Sequence, residues 1–333
     1  MVIEIATMIL LVLCSLFSDG VCDKEFLKQP ASISTKMTYR QEQLPFRDPT
    51  LKFEVESNIP KIQGRKQKMF GIKDSTAKKF NPSELHVSQP RELCHAVVRT
   101  KANDAKKFMG AGATLALYKP NVQNNQWSSS RIKLSNGDDS IETGFMVNPE
   151  VFKDNEAHSY AKFSAGGRGC INKQCPGFVE VSPGYLGITP DHYTTIGSGY
   201  YWECNVTIDK HQDDGHWWLS VIYNNTKIFQ IGYWPKSLFS SPLAEVASQI
   251  EWGGEINNPG TSASQPEMGN GYKAVNINAT HFRQVTTVNE SFQKVPSNDF
   301  EVFQDCSPFY TAQDYGYYDE TWGHLITFGG PHE

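Results

Sequence analysis

Two short stretches of this sequence place glutamate where strands seldom carry it. In S-I-E-T-G-F-M-V (140–147), an extended backbone sets Glu142 on one face with Gly144. Ile141, Thr143, Phe145 and Val147 take the other. In Q-I-E-W-G-G-E-I (249–256), Glu251, Gly253 and Glu255 share a face, and Ile250, Trp252, Gly254 and Ile256 share its reverse. Glu is depleted in sheets, and a glycine inside a strand marks a bulge or the close approach of a ligand or another backbone. A carboxylate beside a bare strip of backbone suits acid–base hydrolysis of an extended chain. Two carboxyl groups forced together cannot both ionise cheaply, so one keeps its proton. The ionised member then takes a proton from water, and its partner donates to the oxyanion or the leaving nitrogen. The competing reading is a pair of ordinary solvent-face glutamates, and spacing alone favours that one.

Other chemistries lack their signatures. There is no H-E-x-x-H, no G-x-S-x-G elbow and no phosphate-binding glycine loop. Cys94 and His95 are adjacent, but neighbours on a strand point to opposite faces and cannot form a nucleophile–base pair. The nine histidines show no metal spacing, so neither metal nor cofactor is expected. Cys170 and Cys175 close the small loop C-I-N-K-Q-C and are expected to pair as a disulfide rather than hold zinc.

The elements that must carry the glutamates read as β. From Cys94 onward, short β-branched or aromatic runs alternate with Gly, Pro, Asn and Asp at even spacing. H-Q-D-D-G-H-W-W-L and Y-N-N-T-K-I-F read as hairpins. K-S-L-F-S-S-P-L-A-E-V-A-S-Q is the one helical candidate, with a short helix after Pro242. The expected class is all-β, a sandwich or barrel of one domain over 91–333. Trp252 alternates away from Glu255 and reads as core.

The first residues speak to compartment. An apolar run from Ala6 to Phe17 is too short to span a bilayer, and small residues follow it. It reads as a signal peptide over 1–22, with secretion as the consequence. Sequons at Asn205, Asn224, Asn278 and Asn289 agree. Residues 23–90 are rich in Lys, Gln, Pro and Ser and poor in aromatics, as in a leader or a removable pro-segment. The net charge of −5 argues against nucleic acid or anionic membrane as partner.

The ordered segments I-E-T-G-F-M-V-N-P-E-V-F-K-D-N, G-C-I-N-K-Q-C-P-G-F-V-E-V-S, I-G-Y-W-P-K-S-L-F, E-W-G-G-E-I-N-N and E-M-G-N-G resemble the plant neprosin family of secreted glutamic peptidases. Q-L-P-F-R-D-P-T-L-K-F-E-V-E-S-N-I-P-K resembles that family's activation peptide. The resemblance implies an antiparallel β-sandwich with an open cleft on one face. It also implies a zymogen and cleavage after proline in acid without a cofactor. It places the catalytic pair on Glu142 and Glu255, with Glu150 and Glu251 as less suitable neighbours. Gly144 and Gly253 would leave room for the substrate backbone, and Tyr233 and Trp234 would pack a prolyl ring. The implied partners are a peptide substrate and the chain's own pro-segment as inhibitor. A monomer is expected, in the extracellular space (the apoplast) or the vacuole. A non-enzymatic, glycan- or wall-binding sandwich is the alternative. Two departures stand out. Phe145 occupies a position where the family usually has Trp, and Cys306 lacks the family's late partner, leaving Cys94 and Cys204 as candidates.

Overall fold

The computed structural model describes residues 92–331 apart from 102–105, 199–200, 224–225, 261–263 and 297–298. The expected signal peptide and pro-segment, and the sequon at Asn224, lie outside the described residues. Among the described residues sixteen strands, numbered along the chain, form two sheets in which every pairing is antiparallel.

The seven-stranded sheet runs in the order β14 (Phe300–Gln304), β1 (Leu93–Thr100), β11 (Gln249–Asn257), β3 (Trp127–Asn136), β4 (Asp139–Val147), β5 (Ala157–Ala165), β6 (Arg168–Ile171). The second sheet runs β15 (Thr311–Asp319), β16 (Gly323–Gly329), β12 (Thr280–Val288), β2 (Gly110–Ala116), β8 (Glu203–Lys210), β9 (Trp217–Tyr223), β10 (Lys227–Trp234), β7 (Val179–Glu180), and β13 (Lys294–Val295) pairs with β12. The expected hairpins are present as the β8–β9 and β9–β10 pairs.

Between the sheets lies one apolar core. Ile132, Leu134, Ile141, Phe145, Ile250 and Trp252 enter it from the first sheet, and Leu115, Val206, Leu219, Trp234, Phe282 and Phe328 from the second. The alternation read from 141–147 and 250–256 is therefore the alternation that folds: the apolar members face the core, and the glutamates take the reverse. Phe145 meets Tyr185 edge-on, with ring centroids 6.4 Å apart.

The expected helix after Pro242 does not form. Two single 3-10 turns stand there, Lys236–Leu238 and Pro242–Ala244. Ser241 caps the second, and then Ala247 is drawn into a bridge with Phe108 that ends any helical continuation. Tertiary pairing overrides a weak local propensity. The one α-helical turn among the described residues, Pro149–Phe152, is capped by Asn148, whose side chain accepts from the Glu150 and Val151 amides.

Cys170 and Cys175 are bonded to each other, and Cys94 is bonded to Cys306 across a separation of 212 residues. Cys204 stays free and buried, and burial pushes its thiol up to about 12. A cross-link stabilises chiefly by restricting the unfolded chain, and more so for a longer loop. Replacing Cys94 and Cys306 together by Ala is expected to cost about 4 kcal/mol. Replacing Cys170 and Cys175 should cost less. Urea unfolding midpoints at constant m-value will rank the two pairs.

Candidate active site

The outer face of the seven-stranded sheet carries three cross-strand rows at its centre. The first is His95–Glu255–Ser129–Met146–His158, on β1, β11, β3, β4 and β5. The second, on the same strands, is Val97–Gly253–Arg131–Gly144–Tyr160. The third is Arg99–Glu251–Lys133–Glu142–Lys162. Register thus sets Glu142 and Glu255 in different rows, on either side of Arg131.

Arg131 joins them. Its Nε donates to Glu255 Oε2 at 2.6 Å and lies 3.9 Å from Glu142 Oε2. The two carboxylates therefore share one guanidinium nitrogen. Glu251 reaches the same group: its Oε2 lies 2.9 Å from Arg131 Nη1, an ion pair too bent to be a hydrogen bond. Nη2 is buried and has no hydrogen-bond partner among the described residues. Tyr160 Oη donates to Glu142 Oε1 at 3.0 Å, and Lys162 Nζ donates to the same oxygen at 3.1 Å.

Glu251 and Glu255 stand four residues apart, about 13 Å along an extended strand, yet the long cation on the neighbouring strand reaches both. No local signal marks Arg131 in S-S-S-R-I-K-L-S. Its parity on an alternating strand, between two strands that carry glutamates, is the clue that was there to use.

Burial sharpens the electrostatics. Arg131 is 0% exposed, Glu142 3% and Glu255 6%. Burial alone would raise Glu255, but Arg131 foremost, then Lys162 and His95, pull it down to about 2. Glu251 is likewise lowered, because the attraction of Arg131 outweighs the cost of burial. On Arg131 burial works against the charge, yet Glu255, Glu251 and Glu142 together drive the guanidinium well above its ordinary value. A cation between the carboxylates, rather than their mutual repulsion, thus sets the charge of Glu255.

The two glycines have a structural reason of their own. A Cβ on Gly144 would overlap the Ser130 carbonyl oxygen, and one on Gly253 would overlap that of Ala96. Gly253 also has φ +148°, which L side chains rarely adopt. The missing side chains are demanded by close strand approach. They also leave Arg131 without a neighbouring side chain in its own row until Val97 and Tyr160.

Tyr233 and Trp234 are not brought to this place. Both lie on β10 of the other sheet. Trp234 is fully buried, packed edge-on to Phe178, and Tyr233 stacks on His216 at 4.8 Å. Glu150 sits in the Asn148-capped helical turn. Besides Tyr160, half-buried Trp127 is an aromatic on the Arg131 face: Lys162 Nζ lies 6.0 Å from its ring centroid. Cys94 is spent in its disulfide, so no thiol stands beside His95. Of the sequons, Asn205 lies half-buried on β8. Asn289 accepts the Ser291 and Gln293 amides, and the carbonyl of half-buried Asn278 accepts from Asn270.

Removing Arg131 would leave three buried carboxylates facing one another. Arg131→Met is expected to cost about 3–5 kcal/mol near neutral pH. In the wild type, Glu255 has a folded pKa below its unfolded one. Its contribution is therefore present above the ordinary carboxylate range and is lost as pH falls through about 2. In the variant the unpaired carboxylates are relieved by protonation, so the stability gap should narrow as pH falls from 7 toward 4. Urea titrations at several pH values read that gap directly.

The Neprosin family model matches residues 124–331. Among solved structures, the chain is similar to Scytalido-glutamic peptidase with a peptide-based transition state analog. The identity is 8% and the TM-score 0.39, covering 73% of this chain and 100% of that one. It is also similar to SCP-B, a member of the Eqolisin family of peptidases in complex with the tripeptide Ala-Ile-His, at 8% identity and TM-score 0.38 over the same shares. Likeness at that level sets up no residue-to-residue correspondence. The family match spans more than half of the chain and includes Glu142, Arg131 and Glu255: the chain belongs to the Neprosin family.

Proposed function

We propose that this protein is a secreted glutamic endopeptidase, made as a zymogen, that cleaves peptides after proline in acid. The observation that carries the reading is the convergence of Glu142 and Glu255 on one buried guanidinium. Membership of the Neprosin family supports peptidase chemistry.

The geometry suggests a division of labour. Glu255, held as carboxylate by Arg131, takes a proton from water as the oxygen adds to the scissile carbonyl. Acid supplies the proton that Glu142 gives to the leaving nitrogen as the C–N bond breaks. Tyr160 and Lys162 hold Glu142 through its Oε1 while its Oε2 faces Arg131. The unpartnered Nη2 of Arg131 is a donor for the oxyanion that forms between these steps. No step needs a metal. Trp127 is the aromatic placed to receive a prolyl ring. The low exposure of Glu142, Glu255 and Arg131 supports latency, since a peptide must gain access before any bond is cut. The Lys/Arg-rich stretch before residue 90 is the proposed point of release.

Incubation of the purified protein with a proline-containing peptide at pH 4 and pH 7 tests this, with cleavage sites read by mass spectrometry. Wild type should cut after proline in acid, while Glu142→Gln and Glu255→Gln should each lose about 10²-fold or more in kcat/KM. An inactive wild type, or two variants that match it, would end the peptidase reading. The second reading, a glycan-binding sandwich, draws on a pocket of about 270 Å³ on the outer face of the other sheet, lined by Tyr201, Tyr315, Tyr318 and Trp322. It expects Trp fluorescence to change with added oligosaccharide and no proteolysis at any pH.

A further inference from the structure

The two oxygens of Glu255 face different basic side chains. Oε2 takes Arg131 Nε at 2.6 Å, and Oε1 lies 3.8 Å from His95 Nε2. His95 is the register partner of Glu255 across β1 and β11. Its ring is not free to turn. Asp305 Oδ2 lies 3.0 Å from Nδ1, Asp305 Oδ1 accepts the His95 amide at 2.7 Å, and the Asp305 amide donates to the His95 carbonyl at 3.3 Å. Cys94 and Cys306, the sequence neighbours of these two residues, are bonded to each other at the same point. The disulfide thus clamps β1 to the segment that follows β14 where Asp305 must grip the ring.

With Nδ1–H given to Asp305, Nε2 is the nitrogen turned toward Glu255. As neutral imidazole it presents a lone pair to a carboxylate oxygen. As imidazolium it presents N–H to both Asp305 and Glu255. We propose that His95, oriented by Asp305, is the positioning residue of Glu255, and that its imidazolium form donates through Nε2 to Oε1 and fixes the carboxylate plane opposite Arg131. At 3.8 Å the contact is longer than a hydrogen bond, and a proton on Nε2 would let it close to one. The charged groups about the ring are Asp305 beyond β14, Glu255 and Glu251 on β11, and Arg131 and Lys133 on β3. Arg99 on β1 itself is tied to Glu301 of β14. Three of the five groups about the ring, Asp305, Glu255 and Glu251, are anionic.

The kinetic consequence rests on the peptidase reading; the coupling between His95 and Glu255 does not. Two variants test both. His95→Gln keeps a polar side chain without the charge, and Asp305→Asn keeps an acceptor for Nδ1–H while removing the anion. Carboxyl ¹³C NMR, with the Glu255 signal assigned against Glu255→Gln, should show its titration midpoint rise by about one unit in His95→Gln and by less in Asp305→Asn. In peptide cleavage, His95→Gln should lower kcat about tenfold, leave KM within about twofold, and flatten the fall of kcat between about pH 5 and 8. A merely structural clamp would lower the melting temperature yet leave the Glu255 midpoint and the pH profile unmoved, and that result overturns the proposal. If wild type cuts nothing, the peptidase reading falls by itself. The NMR midpoint still decides: a shift upholds the coupling and no shift refutes it.

Discussion

A fully buried guanidinium needs more than one counter-charge, and most of the functional face is organised by that need. Arg131 sits on the middle strand of five and in the middle row of three. Desolvating it is costly unless anions and hydrogen bonds surround it. Glu255 supplies a direct hydrogen bond, Glu251 an ion pair, and Glu142 a longer attraction. In turn, burying three carboxylates together is tolerable only around that cation. Lys162, Tyr160 and His95 then complete the outer edge of the cluster. Neither Nη1 nor Nη2 of Arg131 makes a hydrogen bond among the described residues, so the cluster is held together but not saturated. Buried, unpaired donors are rare enough to need a reason, and a transient oxyanion is one.

Among the described residues, the second sheet contributes no group to this cluster. Its work is mechanical: Trp234, Leu219, Phe282 and Phe328 fill the space behind Ile132, Ile250 and Trp252. With one face of β3, β4 and β11 held against a packed core, register slips are strongly opposed, because a one-residue shift would exchange apolar and charged faces. Packing on the inner face therefore fixes the positions of charges on the outer one. The glycines serve the same end. They let β4 approach β3, and β11 approach β1, more closely than a Cβ permits.

Much of this was legible in the residues. Alternation in 140–147 and 249–256 assigned the faces of Glu142, Glu255, Phe145 and Trp252 as they fold, because period-two patterning is a local property. The Cys170–Cys175 pair was legible from its small loop. Four things were not. The helix expected after Pro242 gave way to a bridge between Ala247 and Phe108, a contact 139 positions apart in the chain. The pairing of Cys94 with Cys306 depended on which strand β14 would join. Tyr233 and Trp234 looked suited to a cleft by type alone, but sheet order puts β10 in the other layer. Arg131 is the instructive omission. Nothing about its neighbours in sequence is unusual. Its meaning comes from lying between β4 and β11, and that order is set by pairing rather than by any motif.

Sheet order also decides which kind of carboxylate pair this can be. A dyad that shares one proton needs its two groups in direct contact. Glu142 and Glu255 occupy rows two residues to either side of Arg131, about 13 Å apart along the strand direction, and must lean inward to approach each other. A planar fork placed midway can engage both sides at once, whereas a lysine would offer a single point charge. The pair is therefore bridged rather than shared. A bridged pair separates the two environments: the member hydrogen-bonded to the guanidinium is held well below the ordinary carboxylate range, and the other takes donors from Tyr160 and Lys162 on its Oε1. That asymmetry follows from the position of one arginine on the strand between them, and it would be lost if β3 were paired anywhere else in the sheet.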